Sequence, residues 1–169
     1  MAHLKLYGEL GWGSVLTEAQ LDWYGTDYYF ERVGDLFENA DARRNLAKIN
    51  PIAQIPTLVL DDGTVMTESA AITLYLAEMA GNDTLVPAVG STQRAAFLRW
   101  LIFIVANIYP TYTYADDPAR FVQCPDAQPG FRNAVNEYAI KMYMVLENHA
   151  GQPWFLGDRV SALDITSAQ

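Results

Sequence analysis

The sequence predicts an α/β layer followed by an all-α region, and three observations carry that prediction. Short apolar and β-branched runs alternate with helical periodicity through the first half of the chain. Asp62-Gly63, set between the runs Thr57–Leu60 and Thr64–Met66, marks a hairpin. Beyond Gly81 strand-like runs cease and long helical patterns take over.

In order, His3–Tyr7 reads as a strand ending at Gly8, followed by the glycine-rich turn Glu9-Leu-Gly-Trp-Gly-Ser14. Ser14–Tyr24 reads as a helix closed by Gly25, with Val15, Leu16, Ala19 and Trp23 as its apolar side. Tyr28–Val33 is a second strand by its aromatic and β-branched content. Asp41 is placed to cap a helix over Ala42–Ile49, which Pro51 stops. The hairpin comes next. Ser69 then caps a helix with Ile72, Leu76 and Met79 on one face and Gly81 at its end. The resulting order is β-α-β-α-β-β-α. Right-handed crossovers make the first strands parallel, and the hairpin adds an antiparallel edge.

Asn82–Ser91 reads as a linker between a domain over residues 1–81 and an all-α domain over 92–169. Thr92–Thr113 is a helix apolar nearly all round, the pattern of a buried or interfacial helix. Pro110 is expected to kink or end it. Ala115–Gly130, with three prolines, reads as a connection, and Phe131–His149 as a helix with Val135, Tyr138, Met142 and Leu146 on one face. Ser161 and Asp164 have the spacing of a capping box.

Composition narrows the function. The chain has 169 residues, enough for one domain or two small ones, and 51% are hydrophobic, as in a folded globular protein. A net charge of −9 argues against a nucleic-acid partner, which needs clustered Lys and Arg. The lone Cys124 excludes an internal disulfide and a Cys-x-x-Cys redox pair, and reads as an ordinary free thiol. No signal-peptide pattern opens the chain, and the longest apolar run, Trp100–Ala106, is far short of the ~20 residues of a spanning helix. A cytoplasmic protein without a membrane partner is expected. His3 and His149 lack metal-ligand spacing, so no metal site is expected.

Gln54-Ile55-Pro56 before the hairpin and Glu68-Ser69 at the following helix start resemble the glutathione-binding segment of the cytosolic glutathione transferase superfamily. Trp154–Ile165, with its Ser161/Asp164 box, resembles a second signature of that family. The resemblance implies a thioredoxin-like N-terminal domain, a helical C-terminal domain, and a homodimer with the Ser69 helix and the Thr92–Thr113 helix near its interface. Family members continue for several helices past the box, whereas this sequence stops at Gln169, so the second domain is expected to be incomplete.

The resemblance also implies a bacterial-type transferase that activates the thiol of glutathione, its co-substrate, for attack on a small electrophile. Glu68 would receive the ammonium of the γ-glutamyl end. Ser69 and the helix N-terminus would receive its carboxylate. Pro56 would be cis, although fewer than ~1 in 10 X–Pro bonds are, turning the Ile55 backbone outward to pair with the cysteinyl backbone. Gln54 adds a polar contact, and Ala53 stands where glycine is common.

For the thiol, whose ionisation needs ~1.4 kcal/mol of selective stabilisation per unit, the family places Tyr, Ser or Cys after the first strand. Ser14, at the helix start, fits best, with a capping serine as the plainer reading; Tyr7 is the alternative, and Trp12 stands near the serine position of some members. Trp12, Tyr109, Tyr112 and Tyr114 form a candidate aromatic wall for an apolar second substrate, or ordinary core packing. The rival functions are a glutathione-transferase-like binding or regulatory protein without turnover, and a glutathione-dependent reductase or isomerase.

Overall fold

A computed structural model describes residues 4–167, and its chain divides into two compact units between Val86 and Pro87. His3, at the start of the expected first strand, lies outside the described residues.

The first unit is built on a four-stranded sheet of order β2-β1-β3-β4: β1 (Leu4–Gly8), β2 (Tyr28–Arg32), β3 (Thr57–Val59) and β4 (Val65–Met66). β1 runs parallel to β2 and antiparallel to β3, and β3 and β4 are antiparallel. Helices α1 (Val15–Trp23), α2 (Ala40–Ala47) and α3 (Ser69–Ala80) complete the thioredoxin-like order. Strand alternation sends Leu4, Leu6 and Gly8 to a buried face and leaves Lys5 and Tyr7 half-buried. Leu4, Leu6 and Leu58 pack with Leu21 of α1 and Ile72 and Leu76 of α3 to form the core.

Several local expectations are corrected here. The buried face of α1 is Leu16, Thr17, Gln20 and Leu21, while Val15 and Trp23 are exposed. The Trp23 indole instead donates to the Thr84 hydroxyl at 3.0 Å. Asn39, not Asp41, caps α2, accepting from the N–H groups of Asp41 and Ala42. Ser69 is the first residue of α3 and Glu68 occupies the cap, while Met79 is exposed at the far end, where Gly81 is left-handed as expected. In the hairpin only Gly63 has positive φ; Gly63 N–H reaches Leu60 C=O, and Leu60 N–H reaches Thr64 C=O, both at 2.9 Å. That is a turn followed by a left-handed glycine, rather than two left-handed residues.

The second unit contains α4 (Arg94–Phe103), α5 (Tyr109–Asp116), α6 (Gln128–Glu147) and α7 (Ala162–Thr166). Pro110 does not end the long helix, which continues to Asp116. A π-turn over Ile104–Ile108 joins α4 to α5, with Tyr109 N–H reaching back to Ile104 C=O. The wider turn removes the α-helical contact that proline's ring would violate. Residues 94–116 are long and apolar enough to cross a membrane. Phe97, Trp100, Leu101, Ile104 and Ile108 on it are buried, and the run packs against α6 and α7. α6 begins at Gln128, three residues before expectation; Leu146 is its buried residue and Tyr138 is exposed. The Ser161/Asp164 box forms: Ser161 N–H donates to Asp164 at 2.8 Å and Leu163 N–H to Ser161 Oγ at 3.3 Å.

Candidate functional site

The site of the first unit is assembled from three connections: the turn between β1 and α1, the loop before β3, and the entry to α3.

Parallel pairing puts Gly8 opposite Arg32, so Glu9, the next residue, emerges beside the end of β2. The Glu9 residue is only 7% exposed. It accepts from the Arg32 guanidinium, from Gly34 N–H at 2.8 Å and from Leu10 N–H at 3.3 Å. The Arg32 guanidinium, with help from those N–H groups, holds the Glu9 carboxyl below its usual range against the opposing effect of burial.

Ser14 closes the same turn. Its side chain is 0% exposed. Oγ accepts from Glu9 N–H at 3.1 Å, and its one proton serves either Glu9 C=O or Glu18 Oε1, each at 3.2 Å. It makes no cap bond to α1 and is tied instead to the Glu9 peptide, one residue past β1. Burial pushes the Glu18 carboxyl up, partly offset by the bond from Ser14. Among the described residues, the N–H groups of Gly13 and Ser14 take no internal acceptor. Tyr7, the alternative to Ser14, alternates with Leu6 and Gly8 and so lies on the other face of β1, where Lys5 Nζ sits 4.7 Å from its ring.

The loop before β3 is held by Asn50, which is buried. Its amide donates to Gln54 C=O at 2.9 Å and to Thr57 Oγ1 at 3.0 Å, and its carbonyl accepts from Ile52 N–H at 3.2 Å. Within this clamp Ala53 is left-handed at φ 48°. The Ile55–Pro56 peptide is cis, Gln54 is exposed and Pro56 is buried. Among the described residues neither N–H nor C=O of Ile55 is used internally. A methyl group on Gly13 would lie 3.8 Å from the Ile55 carbonyl oxygen, which sets the first turn directly beside this loop.

At the entry to α3, Glu68 is exposed and held at φ 67°, a conformation that costs a non-glycine residue of order 1–3 kcal/mol and gathers at ligand clamps. Ser69 follows as the first helical residue, where unpaired N–H groups and the positive dipole end favour an anion.

Each unit holds its own aromatic candidates. In the first unit Trp12 rests on Phe37, ring centroids 5.2 Å apart. In the second, the Tyr112 and Tyr143 hydroxyls bond to each other, and the Tyr109 hydroxyl donates to Thr166 C=O at 3.1 Å. Burial pushes the Tyr109 and Tyr143 phenols well up, aided by the Tyr143 and Tyr112 hydroxyls near Tyr109 and by the Tyr112 hydroxyl bonded to Tyr143. Tyr114 instead stands edge-on to Phe121, 4.9 Å away, apart from the Tyr109 and Tyr112 hydroxyl contacts. His149 lies against the Trp100 ring at 4.8 Å with Nδ1 2.8 Å from Val145 C=O, and no group of three potential metal ligands occurs among the described residues.

Sequence reasoning missed Glu9, Arg32 and Asn50. The Glu9–Arg32 pair is legible only once β1 and β2 are set in parallel register, which puts opposite charges at adjoining strand ends.

This order of strands, with a cis-proline loop beside a helix-start turn in the first unit and a second, helical unit following in the chain, defines a class. The family model for the glutathione S-transferase N-terminal domain matches residues 16–79. The uncharacterized GST-like protein YncG of Escherichia coli strain K12 is 36% identical over 162 residues, covering 95% of this chain and 77% of that protein. A glutathione transferase from Methylococcus capsulatus (Bath) matches with TM-score 0.77 at 30% identity, covering 97% of this chain and 78% of that one. A sphingomonad glutathione S-transferase complexed with glutathione matches with TM-score 0.76 at 26% identity, over 96% of this chain and 78% of that one. The chain belongs to the glutathione transferase superfamily.

Proposed function

We propose that the chain is a glutathione transferase that binds glutathione on its first unit and presents the thiolate to a small, apolar electrophile. The observation carrying this reading is the juxtaposition of the unused Ile55 backbone with the Gly13 turn. The Ile55 N–H and C=O would pair with the cysteinyl backbone as an added strand does. Ser69 and the first turn of α3 would take the γ-glutamyl carboxylate, Glu68 the ammonium, and Gln54 a further polar contact.

The cysteinyl sulfur would then face the turn Gly11–Ser14. Ser14 enters this reading as the residue that fixes the turn, because its hydroxyl is buried and already bonded. The free N–H groups of Gly13 and Ser14, at the positive end of α1, would supply the thiolate's stabilisation. Tyr7, on the other face of β1, has no part in it. Trp12 in the first unit is the proposed apolar contact for the electrophile, and Tyr109, Tyr112 and Tyr114 are proposed as an aromatic surface of the second unit. The reading places the enzyme in the cytoplasm as a homodimer, with α3 and the long helix near the interface; Met79 and Ile102 are exposed apolar side chains on them.

One observation favours a second reading, a glutathione-binding protein without turnover: the Ser14 hydroxyl has no exposed face. Retention on immobilised glutathione followed by conjugation of a general aromatic electrophile separates the two. Retention with conjugation, and about tenfold weaker binding in Ser69→Ala, is the expected result. Retention without conjugation selects the second reading, and no retention removes both.

A further inference from the structure

We propose that Glu9 is a positioning residue for the thiol end of glutathione, acting with Arg32 to lock the Gly11–Ser14 turn against the cis-proline loop; this rests on the function proposed above. Glu9 anchors the turn through both its side chain and its peptide. The peptide C=O accepts from Trp12 N–H at 3.1 Å and lies 3.2 Å from the Ser14 hydroxyl, for whose proton it and Glu18 are alternative acceptors, and the N–H donates to Ser14 Oγ. The side chain reaches the opposite way, to Arg32 and Gly34 N–H just past β2. A second tie joins the same two segments, since the Trp12 ring packs at a tilt against Phe37. The turn is thus held at two points by the 32–37 connection.

The geometry couples that lock to the ligand. Gly13 is flanked by Trp12 and Ser14, both held, and lies beside the Ile55 carbonyl. The γ-glutamyl contacts at Glu68 and Ser69 stand on another element, α3, and do not touch this network. Loosening Glu9 therefore moves the groups near sulfur while leaving the tripeptide's other end held. A purely structural ion pair would lower the folded fraction and change nothing else.

Arg32 suits the task because its planar fork meets one carboxylate oxygen through both Nε and Nη2, leaving the other to Gly34 N–H. Its own side chain is largely exposed, so replacing it opens no cavity.

The test compares the full chain with Glu9→Gln and, should that variant fold poorly, Arg32→Gln. Calorimetric binding of glutathione, conjugation kinetics and the ultraviolet thiolate absorbance of bound glutathione against pH are read together. The expected result is glutathione affinity within about twofold of the parent, a fall in kcat of about tenfold, and a bound thiol that ionises about one unit higher. Arg32→Lys is expected to restore part of the loss. An unchanged kcat and thiol titration in a folded variant overturns the inference and leaves the proposed function standing. A parent chain that does not bind glutathione overturns both.

Discussion

The Ser14 side chain occupies the space that a side chain on Gly8 would need: a Cβ built at position 8 falls 2.5 Å from Ser14 Cβ and 2.8 Å from the Phe30 ring. The end of β1 and the start of α1 are thereby closed on each other like two halves of one turn. Gly8→Ala is expected to destabilise the protein by about 1–3 kcal/mol, because neither backbone nor ring can retreat without strain. Denaturant unfolding measures this. A loss below about 0.5 kcal/mol would show that the contact yields easily.

The Glu9–Arg32 pair makes a signed prediction about acid. Glu9 has its carboxyl held below the ordinary value of 4.5 in the folded chain, so as pH falls the unfolded chain takes up that proton first. Its contribution is complete above the unfolded pKa and is lost as pH drops through the folded one. Urea unfolding of the parent and Glu9→Gln from about pH 7 to about pH 3 is expected to show a gap that narrows with acidity. A gap constant across that range would exclude the ion pair as its source.

Ala53 stands in a left-handed conformation inside the Asn50 clamp. A left-handed non-glycine residue costs roughly 1–2 kcal/mol, while glycine costs about 0.4–1 kcal/mol through the freer unfolded chain. Ala53→Gly is therefore expected to stabilise by under ~1 kcal/mol without altering glutathione binding. Thermal unfolding and calorimetry check the two halves. A destabilised Ala53→Gly would mean the methyl makes contacts that outweigh its strain.

Local punctuation was what the sequence made legible. Gly63 and Gly81 are left-handed where the turn and the helix end require it, and the Ser161/Asp164 box forms as spaced. Faces were harder. α1 buries Thr17 and Gln20 and exposes Val15 and Trp23, so residue hydrophobicity pointed to the wrong stripe. Caps were displaced where a neighbour competed: Asn39 took α2 from Asp41, and Glu68, at positive φ, took the cap of α3 from Ser69. Pro110 reads as a helix breaker because a breaker is judged against an α-turn, whereas a π-turn over Ile104–Ile108 precedes it. In the candidate site, the motif positions at 54–56 and 68–69 were legible as a resemblance. The Glu9–Arg32 bond spans 23 residues and needs the strand register, and the burial of Ser14 follows from the missing side chain of Gly8.

In the second unit, Asp164 does more than complete a helix cap. One carboxylate oxygen accepts from Ser161 N–H at 2.8 Å, and the other from Phe155 N–H at 2.7 Å, tying the Trp154–Gly157 bridge to α7. Ser161→Ala removes one cap acceptor and is expected to cost about 1 kcal/mol. Asp164→Ala strands two backbone donors, one of them on buried Phe155, and each unsatisfied donor costs about 1–3 kcal/mol. The aspartate variant is therefore expected to lose at least about 2 kcal/mol and to exceed the serine variant clearly. Chemical denaturation monitored by fluorescence gives both values. Equal losses would place the stabilisation in the capping hydroxyl and leave the Phe155 bond without energetic weight.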